Sequence, residues 1–378
     1  MGQVGITKCE NYDYDKVIGE VAELLSNLDV LKQLKPGRVL LKTNLLKKNK
    51  PEDGVTTHPF IVEGVARYLM AKGFTVIIGD SPGGPFNKGI LKGVYEASGI
   101  AKVAERCGCE LNYDTEIIDV KPPNALMINH LKLVRAFTEV DYVVSCAKLK
   151  THTMMTYTGA VKNLFGMIPG VTKADYHLKM NDPDNFANML IDLCDYIKPV
   201  FSIIDGVEAM EGEGPSAGDI RKLGLILAGD NPYDLDLVAC NLVGIQNVPI
   251  NLHAHKRNLA SQHLSDIALY GVPLEDFNIV PFKLPGSTHV NFVENRVPAF
   301  VVNFLLDKFR PYPKVLESKC IGCGVCAKNC PAQVIQIINK KAQIDTTHCI
   351  RCFCCHELCP EKAIGIKRNA LHKLVFGT

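Results

Sequence analysis

The chain has 378 residues, is 47% hydrophobic, and sets 42 Lys and Arg against 40 Asp and Glu. That balance leaves no global field to attract nucleic acid or an anionic membrane surface, and no stretch reaches the ~20 apolar residues that span a bilayer. Residues 1–15 are too polar and acidic for a secretory signal, and the most apolar run, 297–306, is broken by Pro298 and Asn303 and reads as a buried core helix.

From residue 38 onward, short β-branched runs alternate with longer helical ones. The pattern predicts strands over 38–45, 75–79, 142–146, 201–204 and 223–228, with helices over 59–72, 185–196 and 234–242. This alternation predicts an α/β body, residues 1–312, built on a mostly parallel sheet with flanking helices. Its length and hydrophobic content are ample for an independent core, so the body is expected to fold without residues 313–378. Strand order is not set by the pattern.

In such sheets ligands gather beyond the carboxyl ends of the strands, so the residues following each strand are the candidates. The first strand runs into Lys42-Thr43-Asn44, the second into Asp80-Ser81-Pro82-Gly83-Gly84, and the third into Lys148-Leu149-Lys150-Thr151-His152. Asp205-Gly206 follows the fourth, and Glu208, Glu211, Glu213 and Asp219 then suggest a solvated, mobile loop. Residues 160–166 suit a short helix closed by Gly166, with Thr156 or Thr158 as N-cap. Free N–H groups at its start, near 156–159 and beside Lys148, Lys150 and Lys162, are expected to hold a carboxylate or phosphate. His152, Lys150, Lys162 and Asp80 are the candidate catalytic residues; Lys42, Asn44, Ser81, Lys148, Thr151 and Asn163 are the candidate ligand-binding set. His58, ahead of Pro59, is expected to cap a helix. The glycine-rich stretch 79–89 matches neither the dinucleotide fingerprint nor a P-loop, so no NAD or ATP is inferred. It reads as a strand-to-helix turn or a substrate loop.

Between 307 and 319, Arg310-Pro311-Tyr312-Pro313 interrupts any regular pattern, which starts a second domain, residues 313–378. Nine of the fifteen cysteines lie in it, eight of them in two copies of one spacing, Cys320-x2-Cys323-x2-Cys326-x3-Cys330-Pro331 and Cys349-x2-Cys352-x2-Cys355-x3-Cys359-Pro360. Zinc sites use two separated cysteine pairs, whereas these interlocked runs resemble bacterial two-cluster ferredoxins. There the fourth thiolate of each run crosses to the other cubane, which groups Cys320, Cys323 and Cys326 with Cys359, and Cys349, Cys352 and Cys355 with Cys330. Two [4Fe-4S] clusters in a small α+β ferredoxin-like domain are therefore expected. The copies also align at Ile321 and Ile350, Ile335 and Ile364, and Ile337 and Ile366. The ninth cysteine, Cys354, falls opposite Val325 and reads as an apolar filler beside a cluster. Strands over 333–337 and 362–366 should cover the cubanes. The six remaining cysteines suit a reducing cytoplasm, and exposed cubanes suit low oxygen.

The order Lys42-Thr43-Asn44, Gly79-Asp80-Ser81-Pro82, Lys148-x-Lys150-Thr151-His152, Lys162-Asn163-Leu164-Phe165-Gly166 and Asp205-Gly206 resembles the family known as domain of unknown function 362. Many members carry a C-terminal two-cluster ferredoxin module. The resemblance implies a cytoplasmic iron-sulfur protein of anaerobic metabolism and names no substrate. The expected activity passes single electrons between a ferredoxin- or flavodoxin-type partner and a small anionic substrate or cofactor held in the body. The alternative is a non-catalytic electron carrier or an accessory or maturation protein for a larger redox enzyme. Flavin stays open as a two-electron relay, although the sequence shows no fingerprint for it.

Overall fold

The computed structural model describes residues 2–170, 172–286 and 311–368; the apolar run at 297–306 and the tail beyond 368 lie outside the described residues. Strands β1 (Gln3–Lys8), β2 (Arg38–Lys42), β3 (Thr75–Gly79) and β4 (Glu110–Leu111) are followed by a side hairpin, β5 (Ile117–Val120) and β6 (Leu131–Val134). Then come β7 (Tyr142–His152), β8 (Thr156–Thr158), β9 (Phe201–Glu211), β10 (Asp219–Gly229) and β11 (Ala268–Gly271). The main sheet has the order β11-β1-β10-β9-β7-β2-β3-β4, with β8 folded back on β7. The run from β4 to β9 is parallel, and β10 is antiparallel to both its neighbours.

Both faces of the sheet are buried, which is why its parallel strands read as continuous apolar runs instead of alternating. Val39, Leu41, Val76 and Ile78 pack beneath α1 (Tyr14–Ser26), α2 (Pro59–Ala71), α3 (Lys88–Ala97) and α4 (Ile100–Cys107). Leu40, Ile77 and Val143 face the opposite core. That core includes residues of α5 (Ala160–Asn163), α6 (Thr172–Lys179), α7 (Pro183–Ile197), α8 (Pro232–Leu242) and α9 (Pro249–Lys256). Local chemistry sets the helix starts. Asp182 accepts from the Asn185 backbone N–H ahead of Pro183, Asn231 caps α8 ahead of Pro232, and His58 caps α2 as expected.

Three expectations change. The first strand stops at Lys42, which frees Thr43 and Asn44 to leave the sheet. The third continues six residues past Cys146 to His152, so Lys148, Lys150 and His152 are buried strand residues and not loop residues. The fourth runs to Glu211, which pairs with Arg221 at 2.9 Å; most of the supposed acidic loop is therefore a β-arm.

Chain order moves from β2 outward to β3 and β4, then returns to the other side of β2 as β7. Successive connections leaving adjacent strands in opposite directions open a crevice at their carboxyl ends.

The cysteine-rich unit consists of β12 (Tyr312–Val315), α10 (Val325–Lys328), β13 (Ile335–Ile338), β14 (Lys341–Ile344), α11 (Cys354–Leu358) and β15 (Ile364–Lys367). β12 pairs with β15 and β13 with β14. The internal duplication is visible in the backbone, because Gly322 and Arg351, Gly324 and Phe353, and Gln333 and Lys362 all take positive φ at matching positions. Left-handed Gln333 and Lys362 also explain why the covering strands begin two residues later than expected, at Ile335 and Ile364.

Candidate functional site: a cationic cleft walled by the cysteine-rich unit

The crevice between β2, β3 and β7 opens as a cleft, and it gathers most of the candidates, Lys42, Asn44, Asp80, Ser81, Lys150, His152, Lys162 and Asn163. Lys148 and Thr151 are not part of its lining. Lys148 is spent on a buried ion pair with Asp205 at 2.9 Å and a hydrogen bond to the Tyr12 hydroxyl at 2.6 Å. The Thr151 hydroxyl donates to the Gly212 carbonyl at 2.8 Å, which ties β7 to the end of the β9 arm.

The cleft floor is a hydrogen-bonded lattice. Lys42 Nζ lies 2.8 Å from Asp80 Oδ1, and Asp80 also accepts from the backbone N–H of Leu45 at 2.6 Å and of Ser81 at 2.7 Å. Asn163 donates to the Lys42 carbonyl at 2.9 Å and the Ser145 hydroxyl at 3.0 Å. Gly166 has a different role from the helix-closing one expected of it. A Cβ there would stand 2.2 Å from Asp80 Oδ1 and 2.3 Å from Lys42 Cε, so only glycine allows the ion pair beneath it.

Lys150 donates to Asn44 Oδ1 at 2.8 Å and the Val55 carbonyl at 2.7 Å, and burial followed by repulsion from Lys148 lowers its pKa to about 7. His152 Nδ1 accepts from the backbone of Met154 and Met155, which leaves the proton on Nε2, 3.0 Å from Glu357 Oε1. Burial, reinforced by Lys162, pushes this imidazole down to about 4. Burial alone would raise Glu357, but His152 and Lys162 outweigh it and hold the carboxyl far below its usual range. This wall is therefore a neutral imidazole facing a carboxylate.

The expected anion site at the start of the 160–163 helix is closed. Asp236, from α8, accepts from the backbone N–H of Ala160 at 2.7 Å and of Val161 at 3.1 Å, and from the Tyr157 hydroxyl at 3.1 Å. Gly159 occupies the N-cap position and neither threonine caps the helix. The open positive groups lie at the other end. Lys162 Nζ sits over the rings of Phe165 and Phe186, at 5.4 Å and 5.7 Å, with no hydrogen-bond acceptor among the described residues.

Three titratable cleft residues escaped the sequence reading, Glu357 on the cysteine-rich unit and, on α6, Lys173 and His177. Their i, i+4 spacing puts both on one helix face, a signal that was available but not distinctive. Lys173 donates to the carbonyls of Ser81 and Ile168 at 2.6 Å and 2.7 Å, and burial lowers it to about 7. His177 stacks on Phe186 with ring centroids 4.5 Å apart; its buried Nδ1 has no partner among the described residues.

The remaining wall comes from the cysteine-rich unit, through Asn329, Cys354, Glu357 and Leu358. Lys47 docks it by donating to the carbonyls of Glu357 at 3.0 Å and Cys359 at 2.9 Å. Ser216 donates to the Glu357 carbonyl at 2.7 Å, and His356 Nε2 lies 3.0 Å from the Glu213 carbonyl. Leu358 rests on Gly83, where a Cβ would come within 2.6 Å. The glycine-rich stretch is thus a docking loop as well as a cleft edge.

Within the unit, one cavity is lined by Cys320, Cys323, Cys326 and Cys359, and a second by Cys330, Cys349, Cys352 and Cys355. Each collects three thiols of one run and the fourth of the other. Backbone N–H groups point at the sulfurs, from Ala342 to Cys320, Arg351 to Cys349 and Ala363 to Cys359, at 3.2–3.4 Å. Four thiols around a void, with N–H donors behind them, fit the ligand set of a [4Fe-4S] cubane. Cys354 lines neither cavity. It faces the cleft.

These features define an iron-sulfur protein whose α/β body carries a ferredoxin-type unit. The chain belongs to the family described as domain of unknown function (DUF362), whose model matches residues 39–241, and a 4Fe-4S dicluster domain matches residues 312–360. It is similar to a thylakoid-associated protein of Synechocystis sp., at 32% identity over 263 residues, covering 68% of this chain and 79% of that one. A shorter match, 56% identical over 36 residues, covers 9% of this chain and 6% of ABC transporter E family member 1 of Arabidopsis thaliana. Among solved structures, the lactate racemase apoprotein of Thermoanaerobacterium thermosaccharolyticum aligns at 12% identity and a TM-score of 0.42, over 64% of this chain and 57% of its own. No helix among the described residues is long and apolar enough to cross a membrane.

Proposed function

We propose that this protein passes single electrons through two [4Fe-4S] clusters to or from a small anion bound in the cleft. Cubanes supply one-electron transfer. The observation that carries the reading is α11, a helix of five residues that contributes Cys355 to one cysteine cavity and Cys354 and Glu357 to the cleft. A ligand in the cleft would lie one side chain away from that cavity. We call the cavity holding Cys355 inner and the one holding Cys323, which is exposed, outer.

In this scheme Lys42, Asp80 and Asn163 form a fixed floor, Lys150, Lys162 and Lys173 supply positive charge, and the Glu357 wall excludes water. A ferredoxin- or flavodoxin-type partner would meet the outer cluster, where Ile321 is 61% exposed beside Cys323. That exposed apolar rim equally favours the second reading, a carrier or accessory protein that hands electrons to a larger redox enzyme. The six cysteines of the body, none of them in a disulfide, suit a reducing, cytoplasmic setting.

The test is anaerobic reconstitution followed by iron and sulfide analysis, with about eight of each per chain expected. The reduced protein should show two magnetically interacting paramagnets. About four irons, or a single isolated signal, would remove the relay. A chromophore remaining after the clusters are bleached with a reductant would reveal a flavin; without one, absence of turnover with any small anion would favour the carrier.

A further inference from the structure

We infer that the cleft binds a small dianion, a dicarboxylate or a phosphate monoester, held by Lys150, Lys162 and Lys173 together with His177. The inference deepens the proposed function, resting on its assignment of the cleft as the ligand site, and supplies the ligand's charge.

Cations outnumber carboxylates in the lining. Lys42, Lys150, Lys162 and Lys173 line the cleft against only Asp80 and Glu357. Lys42 is matched by Asp80 at 2.8 Å; Glu357 faces the neutral His152 at 3.0 Å, so it keeps its charge and draws on Lys162. Three lysines remain without a carboxylate partner among the described residues. Two of them are hydrogen-bonded to neutral oxygens, Lys150 to Asn44 and Val55, and Lys173 to Ser81 and Ile168.

The second observation is independent of that count. Three buried atoms of the lining have no hydrogen-bond partner among the described residues, His177 Nδ1 and the facing pair His152 Nε2 and Glu357 Oε1, and the Lys162 ammonium, over two aromatic rings, has no acceptor there either. Burying an ammonium or an imidazole nitrogen without a partner costs free energy of the order of a lost hydrogen bond or more. Such groups persist where a ligand completes them. Phe165 and Phe186 pack against Lys162 and His177, so both groups are held in place at the cleft.

The cysteine-rich unit closes the cleft with Glu357 and Leu358, and a carboxylate on that wall disfavours a third negative charge. Four lysines against two carboxylates leave the lining two charges positive, which a dianion balances and a monoanion does not.

The same groups couple binding to protons. Burial holds Lys150 and Lys173 down to about 7, with Lys148, Lys42 and Lys162 adding repulsion and Asp80 and Glu357 opposing it. An arriving dianion favours their charged forms, so binding takes up protons near neutral pH and weakens as pH rises above it.

The test titrates oxidised, cluster-loaded full-length protein by calorimetry with malonate, succinate, inorganic phosphate and, as a monoanion, acetate. No electron transfer is involved, so failure here leaves the relay to its own test, and binding here would survive the relay's failure. At least one dianion should bind about tenfold or more tightly than acetate, with proton uptake at neutral pH seen as a dependence on buffer ionisation enthalpy. The dicarboxylates stay fully ionised from neutral pH upward, so their weakening at alkaline pH reports the protein's groups alone. Phosphate preferred over malonate would identify a phosphate head, and the reverse a dicarboxylate. Lys162→Gln should lose about tenfold in affinity while keeping its iron content and cluster spectrum. His177→Gln, which loses less bulk than alanine, serves as the second variant should Lys162→Gln fail to load iron. No dianion binding tighter than acetate, or unchanged affinity in a variant that loads iron normally, would overturn the inference.

Discussion

The two copies of the cysteine run share their spacing and their backbone turns but not their surroundings. In the outer copy Cys323 is exposed and Gly324 precedes α10; at the matching positions of the inner copy Cys352 and Phe353 are buried. Ile321 stands 61% exposed, while its counterpart Ile350 is half-buried. The far side of α11 is covered by the body through Lys47, Ser216 and Glu213. Duplication therefore sets the metal chemistry of each copy, and docking sets what each copy faces. One looks to solvent; the other looks to the cleft.

The ligand sets offer the sharpest test of that contrast. Cys330→Ala should cost about half the iron and remove the inner signal, although Cys330 belongs to the first run. Cys354→Ala should keep all the iron. If Cys330→Ala instead removes the outer signal, the crossed pairing is wrong and the inner and outer labels lose their meaning.

Exposure predicts a difference in oxygen sensitivity. On admitting air to reduced protein, the outer cluster should bleach several-fold faster than the inner, followed by its paramagnetic signal. Equal rates would mean that burial by the body gives the inner copy no protection.

The paired glycine and non-glycine turns give a smaller effect. Gly322 has φ 70° and its Cβ position lies 2.4 Å from the Lys340 carbonyl, whereas Arg351 carries a side chain at the matching turn. Gly322→Ala should destabilise the outer half by about 1–3 kcal/mol, and Arg351→Ala should cost less than about 1 kcal/mol. Rates of iron release to a chelator measure both, and matching losses would erase the asymmetry.

The smallest effect tests docking alone. Lys47→Ala removes two hydrogen bonds to carbonyls of the inner face and should loosen it by about 1–2 kcal/mol. Hydrogen exchange should quicken in α11 and stay unchanged in α10. Faster exchange in both would show that the unit unfolds as a whole.

Much of the fold was legible. Strands at 75–79 and helices near 59–71 and 232–242 arise from apolar runs bounded by Gly, Pro and Asn, signals that act within a few residues. β1 was missed because Gln3, Gly5 and Thr7 alternate with Val4 and Ile6 in a strand too short to stand out. The reach of β7 to His152 was missed for a different reason. Lysines read as loop residues until a buried acceptor is known, and Asn44, Val55 and Asp205 are distant in sequence.

By itself the sequence determined the α/β alternation, the two cysteine runs and the list of basic residues at strand ends, because spacing and local propensity are properties of a few consecutive residues. Tertiary structure alone decided which residues share a cleft. Asp236 closed the helix start that looked open, Gly166 made room for the Lys42–Asp80 pair, α6 supplied Lys173 and His177, and the docked cysteine-rich unit supplied the wall. Each of these depends on long-range packing that removes water from charges, and desolvation is set by everything that surrounds a group, not by its neighbours in the chain.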